Sequence, residues 1–565
     1  MRFYGIIKLV LATQLLLFCG EAFCGQLPSP VDIADQQFQR QQEQERQRLQ
    51  ELQDAQPDVR LQPEELPSAS MDYPADESPC FLIKEIILEG DHADKFQWAL
   101  KPVRDAIGRC LGGKGINIVM ARVQNAILAK GYTTTRIVAA PQDLRTGILK
   151  LRVIPGMVSD VSLSEDSGRY VYLYPMIPVR TKKILNIRDV EQGLENLRRI
   201  PTVETDIKLL PGENEGESKL EVVRKMGRPI RLTLSADDSG SKYTGKNQGT
   251  ATLSFDNILG LSDMFSASLG TNFEQNKPYG TGNYSLYYSV PWTYWQLNVS
   301  HSNYDYHQRV VGYATDYVYS GESQNTGLEL SRVIFRTAKS KTSLFIGGFL
   351  STSRNYIDDT ELEIQRRRMA GWEAGVNHRH FIGSATFDAD FRYKRGTGAF
   401  NALRAPEEII DEGTSRPQIL SMNLRLNLPF AIKKQQFRFS SSWRQQWAFN
   451  KLLQRDRISI GGRYSVRGYD GEFTLAGDNG FTSRTELAYT IPKIRHEVYA
   501  AFDIGHVWGP GEEWLLGKTL SGTALGIRGA IKNFSYDAWI SRPLSKPDRY
   551  PGDRWVYGFS ANLSF

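Results

Sequence analysis

The most constraining feature of this sequence is a two-residue alternation of apolar and polar side chains that recurs through residues 227–565. We count about 16 such segments. The last one shows its apolar half most clearly, at Trp555, Tyr557, Phe559, Ala561, Leu563 and Phe565. Successive side chains of a strand point to opposite faces, so each segment predicts a strand with one apolar and one polar face. A transmembrane β-barrel, with lipid outside and water inside, needs such strands.

The connections between the strands separate a membrane barrel from a soluble β-sandwich, which would also alternate. Short connections lie at 291–293, 338–341, 431–434, 492–495 and 532–533. Long connections run over about 305–324, 396–416, 450–480 and 506–520. Tight turns on one rim and long loops on the other are typical of outer-membrane barrels. We therefore predict a closed barrel of 16 antiparallel strands over 227–565.

The N-terminal region carries three signals. Residues 1–24 have the charged start, apolar run and cleavage site of a secretory signal peptide. A membrane anchor would need a longer apolar run, and the bulky Phe23 disfavours lipid attachment at Cys24. Residues 32–53, rich in Gln, Glu and Arg, are either a solvated disordered segment or a helix for a wet, charged cavity. Recurrent prolines over 54–79 predict an extended linker.

Two small α/β modules of the same plan follow, at 80–154 and 155–226. For the first we predict a strand at 81–88, amphipathic helices at 96–107 and 117–130, and a hairpin of 134–140 with 147–154. For the second we predict a strand at 158–163, a helix at 187–199, and a hairpin of 203–210 with 218–226. Signal cleavage leaves Cys80 and Cys110, which favour a disulfide in an oxidising compartment; a two-cysteine metal site would lack nearby histidine ligands.

Composition and motifs give no support to an enzyme or a nucleic-acid-binding protein. The 69 Lys and Arg against 63 Asp and Glu give a net charge of +6, too mild for a nucleic-acid footprint. Residues 108–114 satisfy G-x-x-x-x-G-K, but Gly115 replaces the hydroxyl residue that would bind magnesium. His378 and His380 share one strand face without a third ligand nearby. We expect no enzymatic activity, no cofactor and no metal site.

The longest loop and a later strand contain residues that could act together. Val466-Arg467-Gly468-Tyr469 follows two glycines in the loop, while alternation turns Asp503, together with Arg484 and Glu486 of the preceding strand, toward the lumen. If the loop folds back inside the barrel, Arg467 and Asp503 can form a bidentate ion pair, a latch. Alternatively, Arg467 is a solvated loop residue and Asp503 is ordinary polar lining.

The whole arrangement resembles the outer-membrane transporters of two-partner secretion, the TpsB family. Val466, Arg467, Gly468 and Tyr469 match the signature of the family's sixth extracellular loop, and Phe502-Asp503-Ile504-Gly505 on strand thirteen matches the partner motif. The two modules are similar to POTRA domains, the first at 130–132 and 151–156 and the second at 195–201. Terminal Phe565 resembles the signal read by the barrel-assembly machinery.

The resemblance implies an outer-membrane protein whose partner is a large secreted TpsA-type exoprotein, an adhesin, a haemolysin or a contact-dependent inhibition toxin. That partner would dock unfolded on the POTRA modules, for example by strand addition along Thr134, Arg136 and Val138. It would then cross the barrel once the plug helix 32–53 leaves the lumen. An insertase that assembles other barrels would have the same combination of POTRA modules and barrel, and is the second hypothesis. A passive porin or adhesin is the third, but it would have no use for the periplasmic modules.

Overall fold

The computed structural model describes residues 30–54, 57–61, 66–168, 170–274, 278–311 and 315–565. The predicted signal peptide, 1–24, lies outside the described residues. The chain begins with helix α1 (Pro30–Asp54), continues through a linker and two α/β modules, and ends in a closed barrel. Short 3₁₀ helices occur at Pro67–Ser70, Leu144–Thr146, Glu363–Gln365, Ala399–Asn401, Pro406–Ile409, Gln454–Asp456 and Glu512–Trp514.

The first module packs two helices on a small sheet. Its elements are β1 (Phe81–Leu82), β2 (Glu85–Glu89), a 3₁₀ helix (Ala93–Ala106), β3 (Cys110–Leu111), α2 (Gly113–Ala129), β4 (Arg136–Val138) and β5 (Ile148–Ile154). The sheet order β2-β5-β4 puts β5 in the centre and leaves β4 as an edge strand. Alternation along β5 buries Leu149, Leu151 and Val153 in the core.

Three predictions for this module need correction. The predicted strand 81–88 is divided into β1 and β2, which pair with β3 and β5 respectively. The segment predicted as an amphipathic helix over 96–107 is a 3₁₀ helix, Ala93–Ala106. It contains Pro102, which lacks the N–H that an α-helical hydrogen bond requires. The predicted strand 134–140 is reduced to Arg136–Val138, so Thr134 lies just outside the edge strand.

The second module repeats the plan with a single long helix. Its elements are β6 (Met157–Leu163), α3 (Leu173–Met176), α4 (Ile187–Arg198), β7 (Val203–Pro211) and β8 (Glu217–Met226), with sheet order β6-β8-β7. Asn186 caps α4 by accepting a hydrogen bond from the Arg188 backbone N–H. Val190 and Leu197 of the helix pack into the module core, and Leu194 is also buried.

The barrel consists of 16 antiparallel strands, and the last pairs with the first. Strands β9 to β15 are Ile230–Asp237, Gln248–Asp256, Met264–Asn272, Tyr279–Trp292, Trp295–Val310, Tyr317–Arg336 and Ser340–Ile357. Strands β17 to β20 are Arg367–Ile382, Ala385–Thr397, Gln418–Ile432 and Gln435–Ala448, and β23 to β27 are Asn479–Thr490, Glu497–Trp508, Thr519–Ile531, Phe534–Ser545 and Val556–Ser564. The remaining strands, β16 (Thr360–Glu361), β21 (Ile458–Ile460) and β22 (Leu475–Gly477), lie within loops.

Tight turns gather on the rim next to the modules, here called the module rim, and long loops on the opposite loop rim. One predicted long loop, 305–324, is wrong: β13 continues to Val310 and β14 begins at Tyr317. The reason is that Tyr304, Tyr306 and Tyr319 are buried in a cluster that also contacts α1. Large aromatic side chains thus occupy inward positions there, which hides the apolar-out pattern.

Candidate gating site in the barrel lumen

The loop between β20 and β23, residues 449–478 and here called the latch loop, reaches the barrel wall at Arg467. The Arg467 side chain is only 3% exposed. It donates from Nε to Asp503 Oδ2 at 2.7 Å and from Nη2 to Asp503 Oδ1 at 2.8 Å, while its backbone N–H donates to the same carboxylate at 3.0 Å. A third side-chain nitrogen, Nη1, donates to Glu486 at 2.5 Å. The arginine therefore lies between two carboxylates of the wall.

Two glycines allow the latch loop to approach the wall this closely. A side chain at Gly522 on β25 would place its Cβ 1.8 Å from the Arg467 carbonyl oxygen. Gly468 has a φ of +109°, and a Cβ there would lie 2.6 Å from the Arg542 backbone. Only glycine tolerates both the left-handed backbone and the lack of space. Substitution at either position would push the loop away from Asp503.

The other signature residues are divided between the latch and the outer surface. Val466 is fully buried, and Gly505 on β24 leaves the space that its side chain occupies. The Tyr469 hydroxyl donates to the backbone carbonyls of Ser521 and Ser545, at 3.2 and 2.8 Å. Phe502 is different: it is exposed on the outside of the barrel, as the alternation along β24 requires. It contributes to the lipid-facing surface and not to the latch.

The predicted lumen-facing pair, Arg484 and Glu486, extends the charged cluster. Glu486 accepts hydrogen bonds from Arg467 and, at 2.9 Å, from Arg528 on β25. Arg484 Nε lies 4.0 Å from Asp503 Oδ2, farther than a hydrogen bond reaches. Arg528 was not among the residues selected from the sequence. Alternation along its strand predicts that Arg528 faces the lumen. No feature of the sequence distinguishes it from the many other polar residues that do the same.

Helix α1 lies inside the barrel and contacts its wall mainly through polar side chains, although Leu49 and Leu52 also pack against a buried apolar cluster that includes Met264 and Tyr287. Gln41 accepts a hydrogen bond from the Ser323 hydroxyl at 2.6 Å, and Tyr304 donates to Gln37 at 3.3 Å. Arg444 on the opposite wall donates to Glu43. Water can replace the hydrogen bonds among these contacts when the helix leaves the lumen, so each contributes only a modest net stabilisation.

The same helix also touches the latch loop. Gln39 donates to the Gln454 carbonyl at 2.5 Å, and Arg40 donates to the Gly471 carbonyl at 2.7 Å. The Arg455 guanidinium stacks over Phe38, 3.6 Å from the ring centroid. The latch loop is therefore held from one side by the wall at Asp503 and from the other by α1.

The segment 195–201 joins the second module to the module rim, a role that its sequence did not reveal. Glu195 accepts two hydrogen bonds from Arg336, each of 2.8 Å, and one from Lys341 at 3.0 Å. Asn196 donates to the Thr293 carbonyl at 2.7 Å, and Arg199 donates to the Ser289 carbonyl at 3.0 Å. Three side chains of one short segment thus fix this module against the barrel.

The remaining sequence candidates lie in the first module. The Cys80–Cys110 disulfide is present, as predicted. The N-terminus of α2, where 108–114 imitates a phosphate loop, is occupied by Glu77, whose carboxylate accepts from the N–H groups of Gly112, Lys114 and Gly115. Arg136 and Val138 are exposed on β4, and Thr134 lies two residues before that strand. Across the described ranges, no cluster of side chains is suited to hold a metal ion.

Comparison with known proteins shows which family has this architecture. A model of the haemolysin secretion/activation protein ShlB/FhaC/HecB family matches residues 216–529, more than half of the chain. The chain belongs to this family. A ShlB-type POTRA domain matches residues 81–156 and a further POTRA domain matches 158–211.

Individual relatives agree with the family match. Outer membrane transporter CdiB-2 of Burkholderia pseudomallei (strain 1026b) is 32% identical over 509 residues, covering 86% of this chain and 87% of the relative. Hemolysin transporter protein HpmB of Proteus mirabilis is 26% identical over 421 residues, covering 73% and 72%. The solved structure of CdiB from Acinetobacter baumannii has 30% identity and a TM-score of 0.81, covering 94% of this chain and 99% of that one.

The family fixes the cellular location of the elements described above. The barrel is a transporter of the outer membrane, and its POTRA modules lie on the periplasmic side. The module rim therefore faces the periplasm and the loop rim faces the cell exterior. Among the helices described, none combines the length and the apolar character needed to cross a membrane.

Proposed function

We propose that this transporter exports a TpsA-type exoprotein, which crosses the barrel as an unfolded chain after α1 leaves the lumen. The observation that carries the proposal is the joint attachment of α1 and the latch loop inside a closed barrel. Gln39 and Arg40 contact the latch loop, and Gln41 contacts the wall. Departure of α1 removes one of the two supports of the loop, so the helix and loop are expected to move together.

The chemistry of the lumen fits a passing polypeptide better than a fixed ligand. The wall carries paired charges and hydroxyl groups, such as Arg467–Asp503 and Ser323, once α1 is removed. Such a surface offers exchangeable hydrogen bonds without a deep apolar pocket that would retain the chain. One relative is named a hemolysin transporter, which favours a haemolysin-like exoprotein as the cargo.

Recognition of the exoprotein is assigned to the periplasmic modules. Strand β4 is an edge strand, and Val138 on it is exposed, so an extended peptide can add beside it by backbone hydrogen bonds. Correct insertion of the transporter itself is assigned to the barrel-assembly machinery reading the C-terminal strand. Phe565 is exposed at the end of that strand, where its backbone N–H donates to the Leu232 carbonyl at 2.8 Å.

The test is to co-express the chain with candidate TpsA-type exoproteins, above all any very large one that is encoded beside it, and to assay the medium. We expect the exoprotein in the medium only when the transporter is present. A photo-crosslinking residue at Val138 should capture the exoprotein, whereas one at exposed Lys101 on the 3₁₀ helix of the same module should not. An exoprotein that stays in the cell despite the transporter would contradict export. Loss of other outer-membrane barrels on deleting the gene would favour an insertase.

A further inference from the structure

A run of alternating tyrosines, Tyr170-Val171-Tyr172-Leu173-Tyr174, projects from the second POTRA module. Val171 and Leu173 pack against the module core. The three tyrosines point the other way and are 56%, 62% and 69% exposed, respectively. A periplasmic domain surrounded only by water has no reason to present three aromatic rings in a row, and contiguous exposed apolar surface marks an interaction site.

The tyrosine run lies directly against the module rim of the barrel. The Tyr172 backbone N–H donates to the Gly260 carbonyl at 2.9 Å, and the Tyr170 hydroxyl donates to the Ile258 carbonyl. Just beyond the run, the Pro175 carbonyl accepts from the Thr293 backbone N–H at 2.7 Å. The run therefore bridges two adjacent turns of the barrel.

The neighbouring barrel surface is the lipid-facing one. Trp292 and Trp295 flank the second of these turns and are 60% and 40% exposed. Alternation along β12 puts Trp292 on the same outer face as Leu286, and aromatic residues at this height form the girdle that marks the membrane interface. Ile258 and Leu259 in the first turn are also exposed. The tyrosines continue this girdle from the barrel onto the POTRA module.

Basic side chains lie beside the tyrosines. The Arg180 guanidinium stacks on Tyr174, 4.0 Å from the ring centroid, and Lys182 and Lys183 are exposed two and three residues later. A tyrosine has an apolar ring and a polar hydroxyl, which suits the boundary between acyl chains and headgroups. The nearby cations suit the phosphates of the same lipids.

We propose that Tyr170, Tyr172 and Tyr174 form an interfacial anchor, which seats the second POTRA module in the headgroup layer of the periplasmic leaflet. The occupant is the phospholipid surface, because the run is continuous with the lipid-facing girdle of the barrel. The anchor holds the module at a fixed angle to the membrane while an exoprotein binds and moves. It acts in addition to the polar joint at Glu195, Asn196 and Arg199.

Spin-label accessibility in the full-length protein tests the anchor. Tyr172→Cys is labelled with a nitroxide in phosphatidylethanolamine–phosphatidylglycerol nanodiscs, and relaxation by oxygen is compared with relaxation by a water-soluble nickel complex. Leu209→Cys is the matched control, because Leu209 is also an exposed apolar residue of this module. It lies on β7 near the β7–β8 turn, which contacts Pro155 at the junction with the first module. We expect an oxygen-to-nickel ratio several-fold higher at position 172 than at position 209.

A second labelled position guards against local distortion by the label. Tyr174→Cys should give the same oxygen-favoured ratio in nanodiscs. At both positions the oxygen-to-nickel ratio should be lower for protein in detergent micelles than for protein in nanodiscs. Equal ratios at 172, 174 and 209 in nanodiscs would overturn the anchor. Nickel accessibility at 172 that falls only after exoprotein is added would also overturn it, since the surface would then bind protein and not lipid.

Discussion

Replacing Asp503 with asparagine is the sharpest perturbation of the latch, because it keeps the shape of the side chain and removes its charge. In the native structure this carboxylate accepts three hydrogen bonds from Arg467, over 2.7 to 3.0 Å, at a buried position. Removing one partner of a buried ion pair costs about 3–5 kcal/mol. Glu486 still pairs with Arg467 after the change, so we expect a cost near 3 kcal/mol, or roughly 100-fold in the docking equilibrium of the latch loop.

Protease access to the latch loop in intact cells measures this equilibrium. The loop contains the basic residues Arg457 and Arg463, at which trypsin can cleave once the loop leaves the lumen. We expect cleavage to be slow in the native protein and much faster in Asp503→Asn. The barrel itself should remain folded, which is checked by its heat-dependent mobility on gels.

Glu373→Gln is the matched control. There Arg392 also lies between two carboxylates, Glu373 and Glu329, on the barrel wall. The change removes a charge from a comparable arginine cluster without touching the residues that hold the latch loop. We expect Glu373→Gln to leave cleavage of the latch loop at the native rate. If Asp503→Asn also leaves cleavage at the native rate, the ion pair does not hold the loop.

Three further changes test other parts of the structure. Removing residues 32–53 should raise ion conductance in planar bilayers, because α1 fills the lumen, and unchanged currents would refute the plug. Cys110→Ser should destabilise the first module by about 3–4 kcal/mol, since the disulfide closes a 30-residue separation, and urea-dependent proteolysis should show this only in that module. Burial raises the pKa of Glu195, but Lys341 and Arg336 outweigh it and lower the pKa to about 2 from 4.5. A lowered carboxyl pKa stabilises the joint above pH 4.5, by about 3 kcal/mol, and this contribution is lost as the pH falls toward 2. Glu195→Gln should remove that acid-dependent change in the proteolysis of the joint, and a profile identical to the native one would count against it.

The barrel could be predicted from sequence because lipid imposes its pattern on every strand. Each outward side chain must be apolar and each connection alternates between the two rims, so strand number and loop order follow from local sequence. The error at 305–324 has the same origin. Tyr304, Tyr306 and Tyr319 turn inward to pack near α1, and a contact with a segment some 270 residues away leaves no local signal.

The latch could be predicted only in part. Alternation directed Asp503 and Glu486 into the lumen, and the loop glycines marked Arg467 as close to a turn. The requirement for Gly522 opposite the Arg467 carbonyl and the pairing of Arg528 with Glu486 depend on which strands are neighbours. The contacts of Gln39 and Arg40 with the latch loop join segments more than 400 residues apart, which a single sequence cannot relate.

A reversible cross-link between α1 and the barrel wall tests the transport route most directly. Gln41 and Ser323 already touch, with 2.6 Å between their side-chain oxygens, so Gln41→Cys with Ser323→Cys places two thiols side by side. We expect oxidation to stop release of the exoprotein into the medium and a reductant to restore it, while each single variant secretes normally with or without the reductant. Full secretion by a completely cross-linked transporter would contradict passage through the lumen that α1 occupies.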